Sequence, residues 1–232
     1  MTPAATSPLR VLVVDDYPDD RALVARELAQ ELPGVRIEEV GDLEQLDAAL
    51  ERGPHDLVIT DYHLQWSDGI SVLREVKARS PDCPVIMLTG TGSEEVAVEA
   101  MKAGLDDYVL KSPRHRVRLP AAARLALERS RQRRSERDAE TRYRELFETV
   151  PVGIYRSTPD GTFLDANPAM AAMLGFPDRD ALMAVRATEL YVDPADRDQW
   201  QAVVERDGVV RDYEVRVWCR ERRVIWLRNT AR

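Results

Sequence analysis

The sequence is poor in cysteine and histidine and has no long hydrophobic run, and each shortage argues against a class of protein. Its two cysteines, Cys83 and Cys219, lie far apart, which predicts free, buried thiols rather than a disulfide framework. No apolar run approaches the roughly 18 residues that a membrane span needs. Residues 1–8 lack the basic and apolar segments of a signal peptide. We therefore expect a cytoplasmic protein with no membrane partner.

Basic residues are also in the minority. The sequence has 33 Lys and Arg and 41 Asp and Glu, which gives a net charge of −8. This balance argues against general affinity for nucleic acid or anionic lipid. A content of 44% hydrophobic and 32% charged residues is typical of a well-solvated globular protein. The 232 residues are enough for one large domain or two of ordinary size. Neither a kinase phosphoacceptor box nor a nucleotide-binding glycine-rich stretch occurs in them.

A short apolar run that ends in a carboxylate is the feature around which the rest of the sequence is organised. Leu57, Val58 and Ile59 predict a strand buried on both faces, and Asp61 follows at its carboxyl end. In an open parallel sheet these ends border the crevice where ligands bind. Asp61 is therefore a candidate site residue, although an Asp that caps the following turn would fit the same pattern.

Other predicted strands end in polar residues of the same kind. They lead into Asp15 and Asp16, into Thr89, and into Lys111. Strands alternate with helical patterns through this region, which predicts a doubly wound α/β fold with a five-stranded parallel sheet. Because parallel strands place their carboxyl ends at one edge, these side chains are expected to converge near Asp61.

The chemistry of this set points to phosphoryl transfer. Clustered carboxylates repel one another unless a cation is present, and oxygen ligands that retain waters and bind phosphates suit Mg²⁺. A carboxylate can attack a phosphoryl group to form an aspartyl phosphate. The metal, a hydroxyl and an ammonium would then share the charge of the phosphoryl oxygens.

Residues 9 to about 126 resemble the receiver domain of a two-component response regulator. The motifs that carry the resemblance are Asp15-Asp16, Asp61, Leu88-Thr89-Gly90 and Lys111-Ser112-Pro113. The resemblance implies a flavodoxin-like sheet with strand order 2-1-3-4-5. It also implies that Asp61 accepts a phosphoryl group from a histidine kinase or a phosphotransfer protein, with no output enzyme inside this chain.

The resemblance assigns roles to the remaining residues. Asp15, Asp16, Asp61 and the backbone carbonyl of His63 would hold Mg²⁺. Lys111 would pair with the phosphoryl group, Thr89 would move toward it, and Tyr108 would turn inward as an aromatic switch.

Two other interpretations of the acid cluster stay open. A magnesium-dependent aspartyl-phosphate phosphatase of the haloacid dehalogenase type carries its nucleophile on the first strand and a second Asp two positions later. Here Tyr17 stands at that position after Asp15, which fits poorly. The other interpretation is a receiver that never cycles and serves as a docking scaffold.

From Pro120 the composition changes to Ala, Leu, Glu and Arg, with no further Gly or Pro until Pro151. This predicts a helical linker over 120–147 that leaves the first domain as its last helix. A heptad seam for a parallel homodimeric coiled coil is formed by Leu125, Gln132, Ala139 and Leu146. The alternative is a solvated spacer helix, while interleaved acids argue against nucleic-acid binding.

Residues 143–232 resemble a PAS domain. The motif residues are Tyr143-Arg144-Glu145-Leu146-Phe147, Gly161, Asn167-Pro168-Ala169, Met173-Leu174-Gly175-Phe176 and Asp193-Pro194. The resemblance implies an α+β domain with a five-stranded antiparallel sheet that senses small molecules or dimerises. Arg232 falls just past the fourth predicted strand, so we expect a C-terminally truncated domain from a longer signalling protein.

The second domain has few residue types that would bind a cofactor. All three histidines precede residue 120, so a histidine-ligated haem has no candidate ligand. Trp200, Trp218 and Trp226 can either line a pocket or pack in the core. We expect an empty or adventitiously filled pocket.

Overall fold

The computed structural model describes residues 8–90, 94–112 and 118–232, except the side chains of residues 94 and 95. The chain divides into two compact units, residues 1–137 and 138–232. Within the described ranges, no helix is long and apolar enough to cross a membrane. Cys83 and Cys219 are both free and buried, as predicted.

The first unit alternates strands and helices. Its elements are β1 (Arg10–Val14), α1 (Pro18–Glu31), β2 (Arg36–Val40), α2 (Leu43–Glu51), β3 (Leu57–Asp61), the two-residue strands β4 (His63–Leu64) and β5 (Ser67–Asp68), α3 (Gly69–Arg79), β6 (Val85–Thr89), α4 (Glu94–Lys102), β7 (Asp107–Leu110) and α5 (Leu119–Thr149).

Five of these strands form one parallel sheet in the order β2-β1-β3-β6-β7. In its centre Val13 of β1 pairs with Ile59 of β3, and Ile59 pairs with Ile86 of β6. Both β3 and β6 are buried along their whole length, which explains why they appear in the sequence as unbroken apolar runs. The predicted doubly wound five-stranded sheet is confirmed.

Successive strand residues point to opposite faces, and each face has its own core. One core packs Val11, Val13 and other strand residues against α1 and α5, whose contributions include Leu28 and Leu119. The other packs Leu12 and Val14 with residues of α2, α3 and α4. Helices therefore cover both faces of the sheet, while the carboxyl ends of its strands lie at an edge that the two cores do not include.

The helix ends follow the local sequence signals. Asp42 caps α2 by accepting a hydrogen bond from Gln45 N at 2.8 Å. Asp68 caps α3 by accepting one from Ser71 N at 2.8 Å. Gly104, with φ of 95°, follows α4 in the left-handed conformation that glycine adopts without strain.

The helix α5 begins in the core of the first unit and continues beyond it. Its buried residues end at Ser130, so the turns that follow have no apolar face against the sheet. Polar contacts hold this part of the helix instead. Ser130 Oγ donates to Asp82 O at 2.6 Å, and Arg133 Nη2 donates to Asp106 Oδ1 at 2.9 Å. Arg137 Nη1 also donates to Asp82 Oδ2 at 2.7 Å. We call these three contacts the α5 anchor.

The second unit is mixed α and β. After the end of α5 its elements are β8 (Tyr155–Ser157), β9 (Phe163–Ala166), α6 (Pro168–Met173), α7 (Arg179–Met183), a 3-10 helix (Ala187–Leu190), α8 (Pro194–Asp207), β10 (Val210–Trp218) and β11 (Val224–Ala231). The core of this unit includes Phe163, Leu174, Leu182, Val215 and Val217.

The strands of this unit pair as two antiparallel hairpins, β8 with β9 and β10 with β11. The predicted α+β fold with antiparallel strands is confirmed, and four strands precede Arg232 as expected. In the described residues these strands form two separate pairs, whereas the resemblance to a PAS domain implied one sheet of five. Isolated bridges join Thr162 to Arg186 and Tyr191 to Val217.

Candidate functional site

The carboxyl ends of β1, β3 and β7 bring three acids and one lysine to the same edge of the first sheet. Asp15 and Asp16 follow β1 directly, Asp61 is the last residue of β3, and Lys111 follows β7. Lys111 N donates to Thr89 O at 2.6 Å, so the backbone pairing of β7 with β6 continues to the lysine. The convergence predicted from the strand ends is therefore present.

Lys111 is the centre of the cluster. Its Nζ donates to Asp15 Oδ2 at 2.6 Å and to Asp61 Oδ2 at 2.8 Å. A third carboxylate, Asp20 Oδ2 in the first turn of α1, lies at 2.9 Å. The lysine side chain is only 13% exposed, so these ion pairs are shielded from water and from salt.

Backbone amides hold the acids in place. Tyr62 N donates to Asp61 Oδ1 at 2.7 Å, and Tyr17 N donates to Asp15 Oδ1 at 2.9 Å. Asp16 Oδ2 accepts from Gln65 N at 3.2 Å. Each acid thus has one oxygen fixed by the protein backbone, and the other oxygen of Asp15 and of Asp61 faces Lys111.

The electrostatics of the cluster favour a cation. Burial raises the pKa of Asp15 above its ordinary value, and the hydrogen bonds from Lys111 and from Tyr17 N only partly oppose this shift. For Lys111, burial opposes the charge, but hydrogen bonds to Asp15, Asp61 and Asp20 outweigh it and raise the pKa of the ammonium. The lysine is therefore held in its charged form.

Three of the acids also meet the geometric requirement for a metal site. One carboxylate oxygen from each of Asp15, Asp16 and Asp61 lies within 4.8 Å of the others. Asp16 Oδ1 is buried and has no hydrogen-bond partner in the described part of the chain. A buried oxygen of this kind is costly unless a ligand satisfies it, and an all-oxygen donor set suits Mg²⁺.

A glycine gives the loop after Asp61 its shape. A Cβ added to Gly69 would lie 2.5 Å from the carbonyl oxygen of Asp61 and 3.0 Å from Tyr62 Cα. Gly69 N also donates to Tyr62 O at 2.9 Å. The close approach of α3 to the end of β3 therefore requires a residue without a side chain at position 69.

Of the other predicted site residues, Thr89 ends its strand at this edge, whereas Tyr108 is the second residue of β7 and lies within the strand. Thr89 is fully buried at the end of β6, and His63 lies exposed in the short β4-β5 hairpin. Tyr108 packs partly buried against the core, and its hydroxyl is buried without a hydrogen-bond partner among the described residues. Pro113 of the predicted motif lies outside the described residues.

Asp20 was not predicted from the sequence. The only signal was an acid in the first turn of α1, which has an ordinary explanation in the helix dipole. Its neighbour Asp19 shares that position and is exposed. Only the packing of α1 against the sheet distinguishes the two.

Comparison with known proteins identifies both parts of the chain. A family model described as "Response regulator receiver domain" matches residues 11–124, and one described as "PAS domain" matches residues 141–207. The transcriptional regulatory protein ResD of Bacillus subtilis is 32% identical over 176 residues, which cover 74% of this chain and 71% of ResD. This chain belongs to the response regulator family.

Other relatives match over a smaller share of their length. The C4-dicarboxylate transport transcriptional regulatory protein DctD of Pseudomonas aeruginosa is 34% identical over 102 residues, 44% of this chain and 22% of DctD. The crystal structure of NtrX from Brucella abortus in complex with ADP is 34% identical, with a TM-score of 0.52, and the match covers 62% of this response regulator and 34% of NtrX. The chain thus spans well under two thirds of both proteins.

The PAS motif residues of this response regulator have structural roles in the second unit. Asn167 is fully buried, and its Oδ1 accepts from Ile154 N at 2.9 Å and from Met170 N at 3.0 Å. Its Nδ2 donates to Val152 O at 2.9 Å. Asp193 caps α8 by accepting from Ala195 N at 2.9 Å. These bonds connect the start of β8 to α6 and fix the start of α8.

A cavity of about 950 Å³ lies in the same unit, between the hairpins and the helices. Its wall includes Tyr155, Met170, Tyr191, Trp200 and Trp226. Trp200 is buried, and its Nε1 has no hydrogen-bond partner within the described ranges. Two of the three candidate tryptophans therefore line a pocket, and the third, Trp218, lies half-buried on β10.

Proposed function

We propose that this response regulator accepts a phosphoryl group on Asp61 from the phosphohistidine of a histidine kinase or a phosphotransfer protein. The observation that carries the proposal is the position of Asp61 Oδ2, 2.8 Å from Lys111 Nζ and grouped with the carboxylates of Asp15 and Asp16. In this reaction a carboxylate oxygen of Asp61 forms a bond to phosphorus as the bond to the histidine nitrogen breaks. The histidine becomes the neutral leaving group.

Mg²⁺ is the cofactor that this donor set fits. Asp15, Asp16, Asp61 and the backbone carbonyl of His63 are the proposed ligands. When bound, the ion would neutralise charge on the transferred phosphoryl oxygens. The residues of the chain would contribute the rest. Tyr62 N fixes one oxygen of Asp61, and Lys111 and Thr89 would contact the phosphoryl oxygens.

The test is an intact-mass measurement after incubation with a small phosphodonor, with and without Mg²⁺. We expect one added phosphoryl group that depends on the metal and is absent in Asp61→Asn. Asp42→Asn is the matched control, since Asp42 likewise caps a helix, α2, and its side chain is hydrogen-bonded to Gln45, outside the cluster. A phosphoryl group on Asp61→Asn would exclude Asp61 as the acceptor. Steady turnover of many phosphomonoesters would favour the phosphatase alternative, and a chain that gains none would favour the docking scaffold.

We further propose that phosphorylation reaches the second domain through α5. Thr89 and Tyr108 are the proposed switch residues. The proposed domain boundaries are 9–126 for the receiver domain, 120–147 for the linker helix and 143–232 for the PAS domain.

The proposed assembly is a parallel homodimer in the cytoplasm, with no membrane or nucleic-acid partner. Any enzymatic output would belong to a separate domain, because both matched domains are non-catalytic signalling modules.

The cavity of the PAS unit supports a second function, the binding of a small apolar molecule. Its volume of about 950 Å³ is within the range of ligand pockets, and its wall is mainly apolar and aromatic. We expect Trp200→Phe to reduce the amount of small molecule that co-purifies with the protein, as measured by mass spectrometry after denaturation. Trp66→Phe is the control, since Trp66 lies in the first unit. If the wild type, Trp200→Phe and Trp66→Phe all purify without a bound small molecule, this second function is contradicted. That result would agree with the empty pocket expected from the sequence.

A further inference from the structure

The ammonium group of Lys111 has no spare hydrogen to offer. A lysine ammonium carries three donors, and each is used by a carboxylate, namely Asp15 at 2.6 Å, Asp61 at 2.8 Å and Asp20 at 2.9 Å. An approaching phosphodonor brings new oxygens to the same ammonium while Asp61 is still a charged carboxylate. Before the bond to phosphorus forms, Lys111 can contact these oxygens only if one of its three present partners gives way.

The three partners differ in how much their release would cost. The side chains of Asp15 and Asp61 are 3% and 7% exposed, so each would lose a partner without gaining water. A buried carboxylate left in this way pays a large desolvation penalty. The side chain of Asp20 is 36% exposed, and water can replace the lysine at its oxygens. Asp20 is therefore the partner that exchanges most easily.

We propose that Asp20 is a positioning residue that holds Lys111 on the α1 side of the site and competes with the phosphoryl group for its third hydrogen. This inference rests on the proposed phosphorylation of Asp61 and adds a regulator of its rate. Asp20 slows the phosphorylation of Asp61 in two ways. It occupies the ammonium that should receive the phosphoryl oxygens, and its negative charge repels an approaching anionic phosphodonor.

The neighbouring residue supplies a close control. Asp19 is the adjacent acid in the first turn of α1, with the same favourable effect on the helix dipole. It is exposed, and no contact joins it to Lys111 in the described structure. Replacing either residue by asparagine removes one charge from the same helix turn, but only Asp20→Asn changes the partners of Lys111.

The experiment compares the full chain with Asp20→Asn, Asp19→Asn and Asp20→Glu. The rate of phosphoryl gain from a small anionic donor is followed by intact mass at fixed Mg²⁺, and the affinity for beryllofluoride, a mimic of the phosphoryl group, is measured separately. We expect Asp20→Asn to gain the phosphoryl group on the order of fivefold faster and to bind beryllofluoride correspondingly more tightly, as the loss of one partly exposed ion pair allows. Asp19→Asn should match the wild type, and Asp20→Glu should restore the slower rate.

The outcomes separate this inference from the proposed function. Equal or slower phosphorylation of Asp20→Asn, with the wild type labelled at Asp61, would overturn the role of Asp20 and leave the phosphoacceptor in place. If Asp19→Asn is accelerated as much as Asp20→Asn, the effect comes from the net charge of the helix turn and not from the contact with Lys111. That result would also overturn the role of Asp20. A wild type that gains no phosphoryl group in Mg²⁺ would refute the proposed function itself. Melting temperatures of all variants show whether a change in rate comes from lost folding, which would slow the reaction rather than accelerate it.

Discussion

At the scale of single residues, Lys111 balances acids that would otherwise repel one another. Asp15, Asp20 and Asp61 all direct an oxygen at its Nζ, and the three ion pairs raise the pKa of its ammonium. Because a raised pKa means that the folded state binds this proton more tightly, the stabilisation holds at neutral pH and is lost only in strong alkali. The lysine therefore contributes to stability as well as to the proposed chemistry.

We predict that Lys111→Ala still binds Mg²⁺ but couples phosphorylation poorly to the rest of the molecule. The proposed ligands are carboxylates and a carbonyl, which the substitution leaves unchanged. Unbalanced buried acids should lower the free energy of unfolding by about 3 kcal/mol without metal, and Mg²⁺ should recover part of it. Calorimetric titration with Mg²⁺ and denaturant unfolding with and without the ion would measure both effects. Loss of metal binding in Lys111→Ala would show that the lysine or the acids have been assigned wrongly.

At the scale of elements, α5 differs from the other helices in what holds it. Its first turns pack Leu119, Ala123 and Leu127 into the core of the first unit. Further along, the contacts that the described residues show between α5 and that unit are those of the α5 anchor, and isolated helical turns without packing are marginal in water. We therefore expect the anchor to set how far along α5 the proposed change in the receiver domain is transmitted.

We predict that the double variant Arg133→Ala and Arg137→Ala loosens α5 without unfolding the receiver domain. The two arginines are largely exposed, at 46% and 64%, although their acidic partners are not, so the expected cost is about 1 kcal/mol for both ion pairs together. Hydrogen exchange should accelerate over residues 128–137 and stay unchanged in the sheet. The control is Arg129→Ala with Arg131→Ala on the same helix, where the described structure shows no ion pair to either arginine. Equal exchange in the two double variants would contradict a specific anchor.

At the scale of the whole molecule, the exposed side of α5 is consistent with a second copy of the chain. The predicted seam residues are exposed in the single chain, with Leu125 at 44% and Leu146 at 69%. Exposed leucines of this kind fit a coiled-coil partner, while Gln132 and Ala139 between them would make the contact weak. A solvated spacer helix predicts the same exposure and no partner.

We predict a parallel homodimer that phosphorylation tightens. The physical reason is that a weak seam has a small free energy of association, which a modest change in the receiver domain can shift. Sedimentation of the full chain with and without beryllofluoride would measure it, with Leu146→Asp as the variant expected to weaken the dimer and Glu148→Asp as a control outside the seam. A monomer in both conditions at tens of micromolar would leave α5 as a spacer.

Much of the fold follows from signals that lie close together in the chain. The buried run at Leu57–Asp61 predicted a central strand, and another predicted strand led into Thr89; an Asp, a residue type that favours helix starts, stands at the N-terminal cap of α2 and of α3. These predictions succeeded because periodicity, capping and turn chemistry act over a few residues. The convergence of Asp15, Asp61 and Lys111 followed as well, since parallel strands share one edge for their carboxyl ends.

Tertiary structure alone decided the contacts between residues that are remote in the chain. Lys111 meets Asp20 across 91 positions, and no local pattern distinguishes Asp20 from Asp19. Asp82 and Asp106 gain their partners on α5 only because that helix passes the amino ends of β6 and β7. The two hairpins of the PAS unit and the cavity between them likewise depend on how strands pack. Local sequence determines which elements form, whereas such contacts depend on the angle and register at which whole elements meet, and these are set by the entire core at once.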